Sequence, residues 1–129
     1  MAYNGNFIIT WISIDGDNVY ARCFDKDGAA VGENFKVNDD RVESQWWWEH
    51  TRRGHTVLSD PKGNFLITFM RLEGVAVQRY SNHGIRIGSN FTFSAYGNVG
   101  YIPAEYGLEI PSISSNGNDN FVITWYSRL

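Results

Sequence analysis

The sequence has little of what commonly cross-links small domains or anchors them in membranes. Its 129 residues include one cysteine, Cys23, which excludes an internal disulfide framework. No apolar run approaches the roughly 18 residues that a membrane span needs. The residues after Met1 are neither basic nor continuously apolar, so no signal peptide is visible. This pattern fits a cytoplasmic protein and an excised part of an exported protein equally well.

Positive charge and helical periodicity are also scarce. The formal net charge is −3, and a nucleic-acid-binding domain would be expected to carry a basic patch. We therefore expect neither a nucleic acid nor a membrane span among its partners. No window repeats apolar residues at the spacing of a helix face over enough length to predict a helix.

Glycine and aromatic residues, by contrast, are abundant, and one short pattern occurs three times. The chain has 13 glycines and 16% aromatic residues, a composition typical of turn-rich all-β proteins. The recurring segments are Gly5–Trp11, Gly63–Phe69 and Asp119–Trp125, spaced by 58 and then 56 positions. Each alternates large apolar side chains with a second series, which predicts a β-strand, and recurrence at this spacing predicts a repeat architecture.

The residues around each copy predict antiparallel meanders. Strands are expected at Val19–Phe24, Asn34–Val37, His55–Ser59 and Ser112–Ser115, joined by turns rich in glycine and Asx residues. A full unit of four strands has about the size of a propeller blade. We predict one all-β domain over 1–129, with antiparallel propeller-type units of about 56 residues at approximately 5–54 and 55–110 and a partial third at 111–129.

Three runs of the sequence resemble a known repeat family. They read Gly-Asn-Phe-Ile-Ile-Thr-Trp, Val-Tyr-Ala-Arg-Cys-Phe-Asp-Lys-Asp-Gly and Val-Gly-Glu-Asn-Phe-Lys-Val-Asn. The pattern resembles repeats of large bacterial surface and secreted proteins, over residues 5–38, less closely over 56–94, and over the opening of a third unit at 112–127. This resemblance implies a β-propeller-like array that acts as a scaffold or binding surface.

The first and third units are incomplete in this reading. The first lacks its leading strand and the third lacks its last two strands, and unpaired strand edges favour association. Two interpretations follow. The chain assembles into a homo-oligomer through its incomplete terminal blades, or it is part of a longer repeat protein.

The two long connections between units carry the candidate ligand-binding residues. The first, Asp39 to Gly54, and the second, Ala95 to Glu109, contain aromatic, carboxylate and guanidinium groups, a combination that suits a glycan because sugar rings stack on indole or phenol faces. The alternative is that the aromatic residues pack between blades or subunits. The candidate residues are Trp46, Trp47, Trp48, Glu49, Arg52, Arg53, Tyr101 and Tyr106.

The sequence predicts no catalytic, metal or cofactor site. Asp25 and Asp27 suggest calcium, but the equivalent residues of the second unit, Ser81 and His83, are not carboxylates, so turn chemistry is favoured. Cys23 lies in an alternating strand, where a buried structural thiol is expected. The predicted function is a non-catalytic, lectin-like binding module; the alternative is a self-assembling structural subunit or a fragment of a larger surface repeat protein.

Overall fold

A computed structural model describes residues 5–13, 18–39, 55–71, 74–94, 111–117 and 120–125. These ranges contain β-strands and no helix, and so nothing in them has the form of a membrane-crossing helix. The strands are β1 (Phe7–Ile12), β2 (Val19–Phe24), β3 (Ala30–Lys36), β4 (His55–Ser59), β5 (Phe65–Arg71), β6 (Gly74–Tyr80), β7 (Arg86–Ser94), β8 (Ser112–Ser115) and β9 (Phe121–Thr124).

The strands form three antiparallel sheets in which sequence neighbours are also spatial neighbours. The first sheet has the order β1-β2-β3, the second β4-β5-β6-β7 and the third β8-β9. This connectivity confirms the predicted all-β class with antiparallel pairing. Meander order follows from the short glycine-containing turns, which leave no chain length for a crossover.

The first and second sheets pair equivalent residues in the same way. Phe7 pairs with Phe24 in the first sheet, and Phe65 pairs with Tyr80 in the second. Each sheet also has a register shift one strand further on, after Ala21 in β2 and after Val77 in β6. A bulge at this point increases the local twist of the strand.

The third strand is longer than the sequence predicted. It begins at Ala30 and not at Asn34, because the pairing with β2 continues beyond the bulge through Cys23 and Val31. Gly32 lies within this strand and has a φ of 75°, a backbone angle that glycine adopts without steric cost.

The main core lies between the first and second sheets. Residues from β2, β5 and β6, together with Val37 directly after β3, form one buried cluster, with partly buried side chains from β1, β3 and β4 packed against it. The fully or nearly fully buried members are Val19, Ala21, Cys23, Val37, Phe65, Ile67, Phe69, Ala76 and Tyr80. Because successive strand residues point to opposite sides, this cluster uses one face of each sheet.

Alternate cross-strand pairs lie on opposite faces of each sheet, and we call these the front face and the back face. The front face contains Phe7, Ile9, Trp11, Tyr20, Arg22 and Phe24 in the first sheet, Phe65, Ile67, Phe69, Ala76, Gln78 and Tyr80 in the second, and Phe121 and Ile123 in the third. The back face contains Ile8, Thr10, Ile12, Val19, Ala21 and Cys23 in the first sheet, Leu58, Leu66, Thr68, Val75, Val77 and Arg79 in the second, and Ser112, Ser114, Val122 and Thr124 in the third. The core is formed by the back face of the first sheet and the front face of the second.

Candidate functional site

The predicted ligand-binding residues all lie outside the described residues. Trp46, Trp47, Trp48, Glu49, Arg52 and Arg53 fall in 40–54, and Tyr101 and Tyr106 fall in 95–110. The structure neither brings them together nor separates them, and their role stays a prediction. What the structure does define is where these two connections join the sheets.

Both connections join the second sheet at the same end. The first leads into His55, which pairs with Phe69, and the second follows Ser94, which pairs with Gly74 at the start of β6. The β5–β6 hairpin turns at this same end. Since β4 and β7 are three strand spacings apart, their ends are about 14 Å from each other.

The opposite end of the sheets carries short, closely hydrogen-bonded turns. The amide of Asp25 donates to the carbonyl of Ala29 at 2.9 Å, and the amide of Ser81 donates to that of Ile85 at 2.7 Å. The Asp25 carboxylate accepts from the amides of Asp27 at 3.0 Å and Ala29 at 2.8 Å, and the Ser81 hydroxyl accepts from its own turn in the same manner. This confirms turn chemistry at Asp25, as the comparison with Ser81 predicted.

The described residues offer no obvious site for a metal or a sugar. No three His, Cys, Asp or Glu side chains within them gather closely enough to share a metal ion. A groove between the second and third sheets, lined in part by Leu66, Arg79 and Phe121, has a volume of about 40 Å³. That volume accommodates a few water molecules and is too small for a sugar ring.

The front face of the first sheet carries two aromatic stacks. Phe7 and Phe24 stack across β1 and β2 with ring centroids 5.2 Å apart, and Trp11 stacks on Tyr20 at 6.1 Å. Between the two stacks, the side chain of Ile9 is 48% exposed. The sequence analysis did not predict a site on this face. In the second sheet the equivalent residues, Phe65, Ile67 and Phe69, are buried.

The front faces of the first and second sheets each hold a polar residue at the centre, beside the bulge. In the second sheet this residue is Gln78, whose amide nitrogen donates to the carbonyls of Arg79 at 2.9 Å, Ile87 at 3.3 Å and Gly88 at 3.2 Å. Its side-chain oxygen accepts from the Asn90 amide. Gln78 is fully buried, so these bonds compensate its loss of water.

Arg22 occupies the equivalent position in the first sheet. It pairs with Ile9 as Gln78 pairs with Ile67. Its Nε is buried without a hydrogen-bond partner among the described residues. A guanidinium group carries five N–H donors, and a buried donor without an acceptor costs stability.

Polar contacts fix the first sheet to the second beside the core. Arg86 on β7 makes a bidentate ion pair with Asp39, which follows β3. The Asp39 amide donates to the Asn90 side chain at 3.2 Å. The hydrogen bond to Asp39 raises the pKa of Arg86. Phe35 and Tyr80 pack beside these contacts with ring centroids 4.7 Å apart.

Two titratable groups are shifted by burial at this junction. Burial raises the pKa of Tyr80 to about 12, opposed by the charge of Arg86 and reinforced by that of Asp39. Burial also raises the pKa of the Cys23 thiol. A protonated, buried thiol is a poor nucleophile, which agrees with the structural role predicted for Cys23.

In comparisons with known proteins, no family model, no curated protein and no solved structure matches this chain. The resemblance to bacterial surface repeats therefore stays a prediction.

Proposed function

We propose that this protein is a non-catalytic binding module made of propeller-type repeat units, with a glycan as its ligand. The observation that carries the proposal is that both long connections join the second sheet at one end. Eight aromatic and charged candidates are distributed over these two connections. Sugar rings stack on indole and phenol faces, and carboxylate and guanidinium groups bind sugar hydroxyls.

The recurring pairing supports a repeat scaffold for these connections. The equivalent cross-strand pairs and the bulges in β2 and β6 at the same position favour two copies of one unit. In repeat proteins the units keep their strands and vary their connections, so binding commonly uses the variable loops at one end.

A glycan array combined with tryptophan-fluorescence titration tests this function. We expect a bound glycan to change the tryptophan fluorescence of the wild-type protein. The Trp11→Phe variant should fold, because Phe69 occupies the equivalent position in the second sheet, and it should give the same response. Combined replacement of Trp46, Trp47 and Trp48 by alanine should abolish the response and leave the circular dichroism spectrum unchanged. Absence of glycan binding by the folded wild-type protein would refute the proposal.

A second candidate function is self-assembly as a structural subunit. It is favoured by the front face of the first sheet, where aromatic stacks surround an exposed Ile9, while the equivalent face of the second sheet is covered. Sedimentation velocity over a range of concentrations tests this candidate independently of any glycan, since it predicts oligomers of the purified chain.

A further inference from the structure

The front face of the second sheet shows what this kind of surface packs against. Ile67 at its centre is fully buried, and Phe69 is 1% exposed. The side chains that cover them include Val19 and Ala21, from the back face of the first sheet. The internal contact is therefore a back face on a front face.

The contact between the second and third sheets follows the same direction. Phe121, on the front face of the third sheet, lines a groove together with Leu66 and Arg79, from the back face of the second. The turns of the two sheets are also close, since a Cβ atom on Gly117 would lie 3.5 Å from Pro61. Along the chain, each back face meets the front face of the next sheet.

Among the described residues, this rule leaves two faces without a neighbouring sheet, one at each side of the three sheets. The first is the front face of the first sheet, where Ile9 is 48% exposed. The second is the back face of the third sheet, where Val122 is 58% exposed. Their equivalents within the second sheet, Ile67 and Leu66, are 0% and 7% exposed.

We propose that the front face of the first sheet binds the back face of the third sheet of a second copy of this chain. The contact would repeat, between molecules, the back-on-front packing that already exists twice within one molecule. Val122 of one copy would cover the aromatic stacks around Ile9 of the next, as the back face of the first sheet covers Ile67. This inference rests on the self-assembly candidate and not on glycan binding.

The two surfaces differ, so the association is head-to-tail. A heterologous contact of this kind forms a ring if the rotation between copies closes and an open filament if it does not. Each internal copy would use both faces, while a terminal copy of an open assembly would leave one face exposed. This asymmetry allows each face to be blocked separately.

The experiment compares three charge-introducing variants with the wild-type protein by sedimentation velocity. Ile9→Lys blocks the front face of the first sheet, and Val122→Lys blocks the back face of the third. Ile87→Lys is the matched control. Ile87 is a 42% exposed strand residue in β7, an edge strand of the second sheet, and it lies on neither of the two proposed contact faces. All four proteins are first compared by circular dichroism. Each variant should fold, because the three substituted side chains are exposed.

We expect the wild-type protein and Ile87→Lys to associate equally. Ile9→Lys and Val122→Lys should each weaken association about 100-fold, because either lysine would lose water inside a contact that the aromatic stacks line on one side. An equimolar mixture of Ile9→Lys and Val122→Lys should form dimers and nothing larger. In that mixture one intact front face meets one intact back face, and both outer faces of the dimer are blocked.

Two outcomes would overturn the inference, and they differ in what they leave standing. A wild-type protein that remains monomeric up to about 1 mM rejects both the head-to-tail contact and self-assembly. Oligomers that persist in Ile9→Lys and Val122→Lys, or variants that do not complement each other when mixed, reject the head-to-tail contact alone. Neither outcome affects glycan binding, which the fluorescence titration measures separately.

Discussion

Ile9 in the first sheet and Ile67 in the second occupy equivalent positions, paired with Arg22 and Gln78 respectively. Ile67 is completely buried, whereas Ile9 is 48% exposed. The local strand pattern is the same in both sheets, and the difference comes from what lies against each front face. A repeated sequence therefore specifies a strand and a face, while burial depends on the neighbouring sheet.

The largest expected effect comes from truncating this matched pair. Ile67→Ala should lower the free energy of unfolding by about 2–5 kcal/mol, because it leaves a cavity in a closely packed core. Ile9→Ala should cost about 1 kcal/mol, since the side chain retains roughly half of its contact with water. Urea denaturation at low protein concentration, where association is negligible, measures both. Equal losses would show that the two faces are equally covered.

The polar residues beside the bulges give the second comparison. Gln78→Leu should cost about 1–3 kcal/mol, because it removes the donor shared by the carbonyls of Arg79, Ile87 and Gly88. Arg22→Gln is the matched variant in the first sheet, and we expect it to leave stability nearly unchanged or to increase it. Chemical denaturation of both variants is the measurement. A destabilised Arg22→Gln would mean that the guanidinium makes bonds that an amide cannot replace.

The third comparison is a pH dependence at Tyr80 and its equivalent, Phe24. Because folding raises the pKa of Tyr80 to about 12, its stabilising contribution is complete below pH 10 and is lost as the pH rises through 12. At pH 11 the loss should be about 1.4 kcal/mol relative to neutral pH. Tyr80→Phe should remove this component of the alkaline stability loss.

Phe24→Tyr serves as the control for that pH dependence. It places a phenol on the partly exposed front face of the first sheet, where it should ionise near pH 10. Stability curves of the three proteins between pH 8 and pH 11.5 separate the two environments. The assignment fails if Tyr80→Phe and the wild-type protein lose stability in parallel.

The smallest expected effect concerns ion pairs between sheets and within a turn. Arg86→Gln should cost less than about 1 kcal/mol, and this loss should shrink in high salt, because the pair with Asp39 is more than a third exposed. Lys26→Gln removes the more exposed pair with Asp27 inside one turn and should change nothing measurable. Thermal unfolding at low and high ionic strength compares them. A larger effect at Lys26 would contradict the role of Arg86 in joining the sheets.

Much of the fold could be predicted from the sequence because its determinants are local. The alternation of apolar and polar residues predicted β2, β4 and β8 at their observed positions. Glycine and Asx residues predicted turns between neighbouring strands. The start of β3 was missed because the pairing of Val31 with Cys23 extends the strand beyond the predicted start at Asn34. That pairing depends on another strand, and local composition does not encode it.

The candidate site was less predictable for a related reason. Ile9 and Ile67 lie in closely similar local sequences, and local pattern does not encode that only Ile67 is covered. The predicted glycan residues were located by composition alone, in connections that lie outside the described residues. The structure adds the common end at which both connections join the second sheet.

Gly28 in the β2–β3 turn and Gly84 in the β6–β7 turn have different surroundings. Gly28 and Gly84 both have positive φ angles, 85° and 74°, which asparagine also tolerates at moderate cost. A Cβ atom at Gly28 would meet nothing within 4 Å, but one at Gly84 would lie 3.3 Å from the Phe35 ring and 3.4 Å from the Cys23 sulfur. A side chain at Gly28 would therefore cost backbone strain alone, whereas a side chain at Gly84 would also have to displace Phe35 or Cys23.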